Sequence, residues 1–141
     1  MKTPEAIIGQ MLKGDAYSCS LGMNTLRIIP GECDLTMTVN KHMVNGFNIA
    51  HGGITYALAD SSMAFASNAY GVQCVSIETA ISHLKKVEVG DVLLASCREL
   101  SRNQKVGQYE VSVTNQSKEL VAHLRVQCWF LAAFGKDFYF D

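Results

Sequence analysis

MVNGFNIAHGGITYALADSSMAFASNAYGVQCVSIETAISHL, residues 43–84, is the stretch on which the reading of this chain turns. It holds no Lys or Arg and only two acids, Asp60 and Glu78. Long charge-poor stretches in globular proteins are normally buried, and a carboxylate is seldom buried without a partner or a task. Asn45-Gly46 and His51-Gly52-Gly53 have loop chemistry. The residues from Gly52 to about Tyr70 read as a helix, with Gly71 as its natural C-cap. Turning about 100° per residue, Ile54, Leu58, Ser61 and Phe65 share one side, expected to pack on a sheet. A second stripe holds Gly53, Ala57, Asp60, Ala64 and Ser67, all small except the acid. A stripe of this kind puts the carboxylate in a shallow groove that admits a ligand or another backbone. Two readings stand for Asp60, an ordinary exposed helix acid and a working one. The charge-poor surroundings and the glycine entry of the helix bring the second level with the first, because the first N–H groups of a helix lack internal partners and carry partial positive charge. Gly52 and Gly53 have no side chains to block them, so an oxyanion-type site would lie about two turns before the carboxylate.

The flanks supply a sheet. Thr3-Pro4-Glu5 opens a short helix over 3–13, with Thr as N-cap and Pro in the first turn, and Gly14-Asp15 ends it. A strand pair turns at Pro30-Gly31; Cys33, Leu35, Met37 and Val39 alternate with Glu32, Asp34, Thr36 and Thr38, the pattern of a half-buried strand. Four more strands of period two are expected at about 72–84, 91–102, 105–116 and 119–131, followed by an aromatic tail at 134–141. Strands grouped rather than alternating with helices imply an α+β fold, an antiparallel sheet packed on one main helix.

At 141 residues the chain is expected to be one domain, 1–141. With 48% hydrophobic and only 18% charged residues, part of its surface should be covered by another subunit. A net charge of −1 argues against nucleic acid or a membrane surface as partner. No run approaches a membrane span, and the N-terminal apolar run is too short for a signal peptide, so a cytoplasmic location is expected. Cys19, Cys33, Cys74, Cys97 and Cys128 are odd in number and lack a C-x-x-C pair, which fits reduced, small core residues. His42, His51, His83 and His123 show no metal-ligand spacing, so no metal is expected.

The spaced run Asn45-Gly46, His51-Gly52-Gly53 and Leu58-Ala59-Asp60 resembles the signature of hotdog-fold acyl-CoA thioesterases of the phenylacetic acid degradation (PaaI-type) group. The likeness extends from about residue 15 to 131, through Leu21-Gly22, Met37-Thr38-Val39, the strand Val75–Leu84 and the turn Glu88–Leu93. It implies a hotdog fold, a sheet wrapped around a long central helix. It implies that Asp60 attacks the thioester or activates a water, in a site shared by two subunits of a dimer or dimer of dimers. The Gly53 N–H would polarise the carbonyl, Asn45 would hydrogen-bond in the pocket, and His51 would shape the loop and meet the thioester. Gly52, Ser61 and Ser76 would line the pocket. Asn45-Gly46 read alone is equally a turn, and Ser76 a sheet hydroxyl. Two departures stand out: Lys85-Lys86 replaces the usual Arg-Pro after the strand leucine, and His83 stands where an aromatic ring is common.

Thioester hydrolysis needs an activated oxygen and a donor for the developing oxyanion, and requires no cofactor beyond the coenzyme A of the substrate itself. The phosphates of coenzyme A call for a cationic rim, for which Lys85, Lys86, Arg102 and Lys105 are the candidates; each also reads as a solvated turn charge. Aryl or medium-chain acyl groups are the expected substrates. A hotdog hydratase fits less well, since the chain has only Pro4 and Pro30 and no Pro-rich histidine loop. The alternative from another class is a noncatalytic acyl-CoA-binding or regulatory module in which Asp60 is structural.

Overall fold

The computed structural model describes residues 2–135 and 138–140. Helix α1 (Pro4–Gly14) is capped as expected, Thr3 Oγ1 accepting from the Ala6 N–H, and it buries Ile7 and Ile8. Asp15 then does more than end it. Its carboxylate accepts from the Ser18 N–H at 2.9 Å and the Ser18 hydroxyl at 2.6 Å, which starts a second, five-residue helix, α2 (Ala16–Ser20), that the sequence pattern did not announce. Strands β1 (Asn24–Ile29) and β2 (Glu32–Thr38) turn at Pro30-Gly31, where Gly31 takes φ +87°. A single 3-10 turn over Lys41–Met43 leads through the Asn45 loop into α3 (Gly52–Asn68). Four strands follow, β3 (Cys74–His83), β4 (Val92–Arg102), β5 (Val106–Thr114) and β6 (Leu120–Phe130). Of the aromatic tail, Lys136, Asp137 and Asp141 lie outside the described residues.

All six strands form one antiparallel sheet in the order β1-β2-β4-β5-β6-β3, and α3 packs against it, touching all six strands. Leu58, Ala59, Phe65 and Ala66 of α3 are buried against Leu35, Leu93, Val111 and Leu124 of the sheet. One assignment is corrected. The seam of α3 that meets the sheet runs through Ser62, fully buried and donating its hydroxyl to the Cys33 carbonyl at 3.0 Å, rather than through Ser61. Such a bond costs little because it satisfies a group that burial would otherwise leave bare. Cys33, Cys74, Cys97 and Cys128 are free and buried, as expected of core thiols, whereas Cys19 is exposed.

The two edges of the sheet are unlike. At β3 only Cys74 is buried; Val75 and Ile77 are 48% and 52% exposed, and the pairing with β6 is bulged between Ser76 and Glu78. The alternation expected of this strand is present in the sequence but not as burial, because nothing in one copy of the chain covers its outer side.

Candidate active site

The chain leaves the Asn45 loop and enters α3 through His51. Asn45 Oδ1 accepts from the Phe47 N–H at 2.9 Å, so the residue does form a turn, and its Nδ2 remains without a partner among the described residues. His51 is the N-cap: its Nδ1 accepts from the Gly53 N–H at 2.9 Å. A ring that accepts at Nδ1 carries its proton, when neutral, on Nε2. The donor expected to polarise a carbonyl is therefore already engaged in the unliganded chain. An incoming oxygen has to take that N–H from the imidazole.

A cleft of about 320 Å³ opens beside this cap, lined among others by Asn45, Gly52, Thr55, His83, Lys85 and Lys86. It brings four of the expected residues together and adds two, Thr55 and His83. The Thr55 hydroxyl donates to the Gly52 carbonyl at 3.1 Å and lies 3.3 Å from His83 Nδ1. A Cβ on Gly52 would sit 3.1 Å from His83 Nε2, so glycine is what lets the imidazole close on the first turn of the helix. The unusual histidine at this strand position was the available signal, since a histidine beside a charge-free segment seldom lacks a contact.

Asp60 lies one turn beyond Tyr56, whose hydroxyl meets Thr79 on β3, and shares that side of the helix. Its carboxylate is half-buried and makes no hydrogen bond or ion pair with any described residue. Burial alone pushes its carboxyl above the ordinary aspartate range. Ser76, paired with the buried Cys128, faces the same helix side of β3, between the levels of the Tyr56–Thr79 and Asn68–Cys74 contacts, though it is exposed. Ser61 goes elsewhere. Because Ser18 donates its own proton to Asp15, Ser61 donates to Ser18 at 2.9 Å and braces α3 against α2.

Along the helix axis Gly53 and Asp60 are seven residues, about 10 Å, apart. A carbonyl that accepts from one must have its carbon within about 3–3.5 Å of the attacking oxygen. The backward lean of the aspartate side chain closes only part of that gap. One copy of the chain thus presents the two halves of the chemistry without bringing them to the same atom.

Against known proteins, residues 47–122 match the model of the thioesterase superfamily. The acyl-coenzyme A thioesterase PaaI of Escherichia coli K12 is 32% identical over 115 residues, covering 82% of each chain. The chain belongs to the thioesterase superfamily. The solved structure of the E. coli PaaI protein from the phenylacetic acid degradation operon superposes with a TM-score of 0.88 at 29% identity, over 90% of this chain and 92% of that one. A protein of Streptococcus mutans UA159, solved bound to acetyl CoA, matches with a TM-score of 0.74 at 27% identity, over 77% of this chain and 87% of that one. The thioesterase therefore has the hotdog fold implied by its helix signature, and it is a thioester hydrolase. No helix among its described residues is long and apolar enough to cross a membrane.

The four expected cations of this thioesterase separate into two places. Lys85 pairs with Glu119, and Lys86 with Glu88 at 3.0 Å, both at the rim of the cleft beside Gly52. Arg102 and Lys105 lie at the other end of the sheet, where α3 finishes. The Arg102 guanidinium stacks 3.8 Å over the Tyr70 ring. The structure does not join these two pairs within one copy.

Proposed function

We propose that this thioesterase hydrolyses acyl-CoA, with aryl or medium-chain acyl groups, in a site completed by a second copy of the chain. The observation that carries the proposal is Asp60, a half-buried carboxylate without a partner among the described residues, on a helix face left partly open in one copy. Pairing of β3 with its own copy would be antiparallel about a twofold axis and would run the two α3 helices in opposite directions. The Asp60 of one copy then approaches the Gly53 end of the other, which closes the gap that a single helix leaves. A dimer, or a dimer of dimers, is the expected form.

In this arrangement the substrate carbonyl oxygen displaces His51 Nδ1 from the Gly53 N–H, and Asn45 Nδ2 and Thr55 line its approach. Asp60 adds to the carbonyl carbon, or removes a proton from a water that does. The C–S bond breaks, coenzyme A leaves as thiolate and takes up a proton, and water supplies the second carboxylate oxygen of the acid. The desolvation that raises the Asp60 carboxyl also makes it a stronger base once ionised. No metal or redox cofactor has a part in these steps. Four buried free thiols fit a reducing compartment, and we place the enzyme in the cytoplasm.

The test is a panel of aromatic, short, medium and long acyl-CoA thioesters with thiol release followed. Turnover that depends on Asp60 is expected. Tight binding of acyl-CoA with no release of thiol from any of them would make the chain a binding module instead.

A further inference from the structure

One peptide unit joins Gly52 to Gly53, so the Gly52 carbonyl and the Gly53 N–H are its two ends. The N–H end meets the substrate in the reaction above. The carbonyl end accepts from the Thr55 hydroxyl at 3.1 Å, and that hydroxyl oxygen lies 3.3 Å from His83 Nδ1. We infer that His83 and Thr55 are positioning residues for the reaction, a hydrogen-bonded relay that aims and polarises the peptide whose N–H receives the thioester carbonyl oxygen. The inference rests on the thioesterase reading above and adds what strengthens its donor.

Counting protons gives the relay its direction. A threonine hydroxyl has one proton to give and two lone pairs to receive. Thr55 gives its proton to the Gly52 carbonyl, so the contact with the imidazole has to be donated by His83, from Nδ1. The bonds then run head to tail. His83 Nδ1–H donates to Thr55 Oγ1, Thr55 donates to the Gly52 oxygen, and the Gly53 N–H donates to His51 Nδ1 in the unliganded chain. Hydrogen bonds in such a chain strengthen one another, by roughly 10–30% each. A carbonyl that accepts also draws the nitrogen lone pair further into its peptide, which leaves the N–H at the other end more positive.

A helical threonine that bonds back to a nearby carbonyl is common by itself. What is particular here is the imidazole behind it. His83 ends β3 and Thr55 stands in the first turn of α3, so the relay ties the start of the helix to the end of the strand. The ring fits because position 52 has no Cβ, which would stand 3.1 Å from His83 Nε2. Thr55 is only 4% exposed, so water competes little for its hydroxyl. Two imidazoles thus bracket one peptide: His51 holds its N–H until an oxygen takes the place of the ring, and His83 acts on its carbonyl through Thr55. A phenyl ring at position 83 would fill similar space and donate nothing.

The experiment follows thiol release from the best acyl-CoA of the panel, together with the amide proton signal of Gly53 in whole protein labelled at glycine with heavy nitrogen. Gly53→Ala assigns that signal by removing it. Thr55→Val and His83→Phe are each expected to lower kcat on the order of fivefold with KM little changed, and the double variant to lose no more than the larger single. Thr55→Ser and His83→Asn, which keep a hydroxyl and an N–H near the same points, should restore most of the rate. In Thr55→Val and His83→Phe the Gly53 signal should move to lower frequency as its peptide loses polarisation. Losses that add, losses in KM alone, or a Gly53 signal that stays in place in either variant would overturn the inference. Should Thr55→Val fail to fold, His83→Phe, at an exposed strand end, decides by its kcat and its Gly53 signal. If the wild-type protein hydrolyses no thioester, the thioesterase reading fails on its own. The relay is then judged by the Gly53 signal: displacement in both variants supports it, and a stationary signal in either removes it.

Discussion

Strands β1 and β3 are the two edges of the same sheet, and they handle their bare backbone in opposite ways. β1 is six residues long and carries a salt bridge from Arg27 to Glu32 at 2.6 Å, while both edge strands are bulged against their inner neighbours. Short length and charge are among the usual means of stopping further pairing. β3 runs ten residues with Glu78 as its one Asp, Glu, Lys or Arg, and shows Val75 and Ile77 to solvent. Its far side from β6 is unpaired. The first edge is finished and the second is a surface waiting for its own kind, which is why the acid that lies along it has no partner.

The sharpest way to break this contrast is at Asp60, since β3 matters to function only if the helix face beside it does chemistry. Asp60→Asn should lower kcat on the order of 10²-fold or more with KM little changed, read in steady-state thiol release. Wild-type turnover from a folded Asp60→Asn protein would remove the acid from the mechanism. The edge itself comes next. Ile77→Asp puts a charge on the unpaired strand and should weaken self-association, so that specific activity at nanomolar protein falls on the order of tenfold and recovers as concentration rises. Light scattering alongside the assay shows whether activity follows mass; a fully active monomer would end the shared-site reading.

A smaller effect is expected in pH. Burial raises the folded-state carboxyl of Asp60, while the unfolded chain keeps the ordinary value. The folded protein therefore binds the extra proton between those two values, and its stability falls as pH rises through that window. In Asp60→Asn this loss disappears, so the variant should melt no lower than wild type above the window and show a flatter Tm profile across it. Because the acid must be ionised to act, the acid limb of kcat/KM should also stand above the range of a free aspartate. The least effect belongs to the finished edge. Leu26→Asp on β1, also exposed, should change neither activity nor mass, and stability by no more than about 0.5 kcal/mol in denaturant titration.

Much of this was legible in the residues, for reasons that differ from place to place. Strand and helix limits followed from Pro30-Gly31, Gly71 and period-two alternation, because turn chemistry and burial patterns are local. Helix α2 was not foreseen, since Asp15 was read as a stop when its carboxylate is also the cap of the next turn. Ser62 rather than Ser61 meets the sheet for a similar reason: helical periodicity names a face but not the side on which the sheet will lie. His51 and Gly53 were picked out by type and spacing, yet their mutual bond depends on a cap geometry that only coordinates give. The cations were beyond reach, because whether Lys85 or Lys105 is neutralised depends on distant strands.

The bare margin of β3 also has a bearing on the life of the protein before it is assembled. Val75-Ser76-Ile77-Glu78-Thr79-Ala80-Ile81 is rich in β-branched residues, contains no proline and carries a single charge. Segments of that composition, when uncovered, are templates for cross-β growth as readily as for the correct match. Each newly made copy is in a race between meeting its twin and sticking to any other open strand. Slow synthesis, low temperature or co-expression with holding chaperones should therefore improve the soluble yield of Ile77 and Val75 variants less than that of wild type, since a charge on that margin is itself a guard against the wrong encounter.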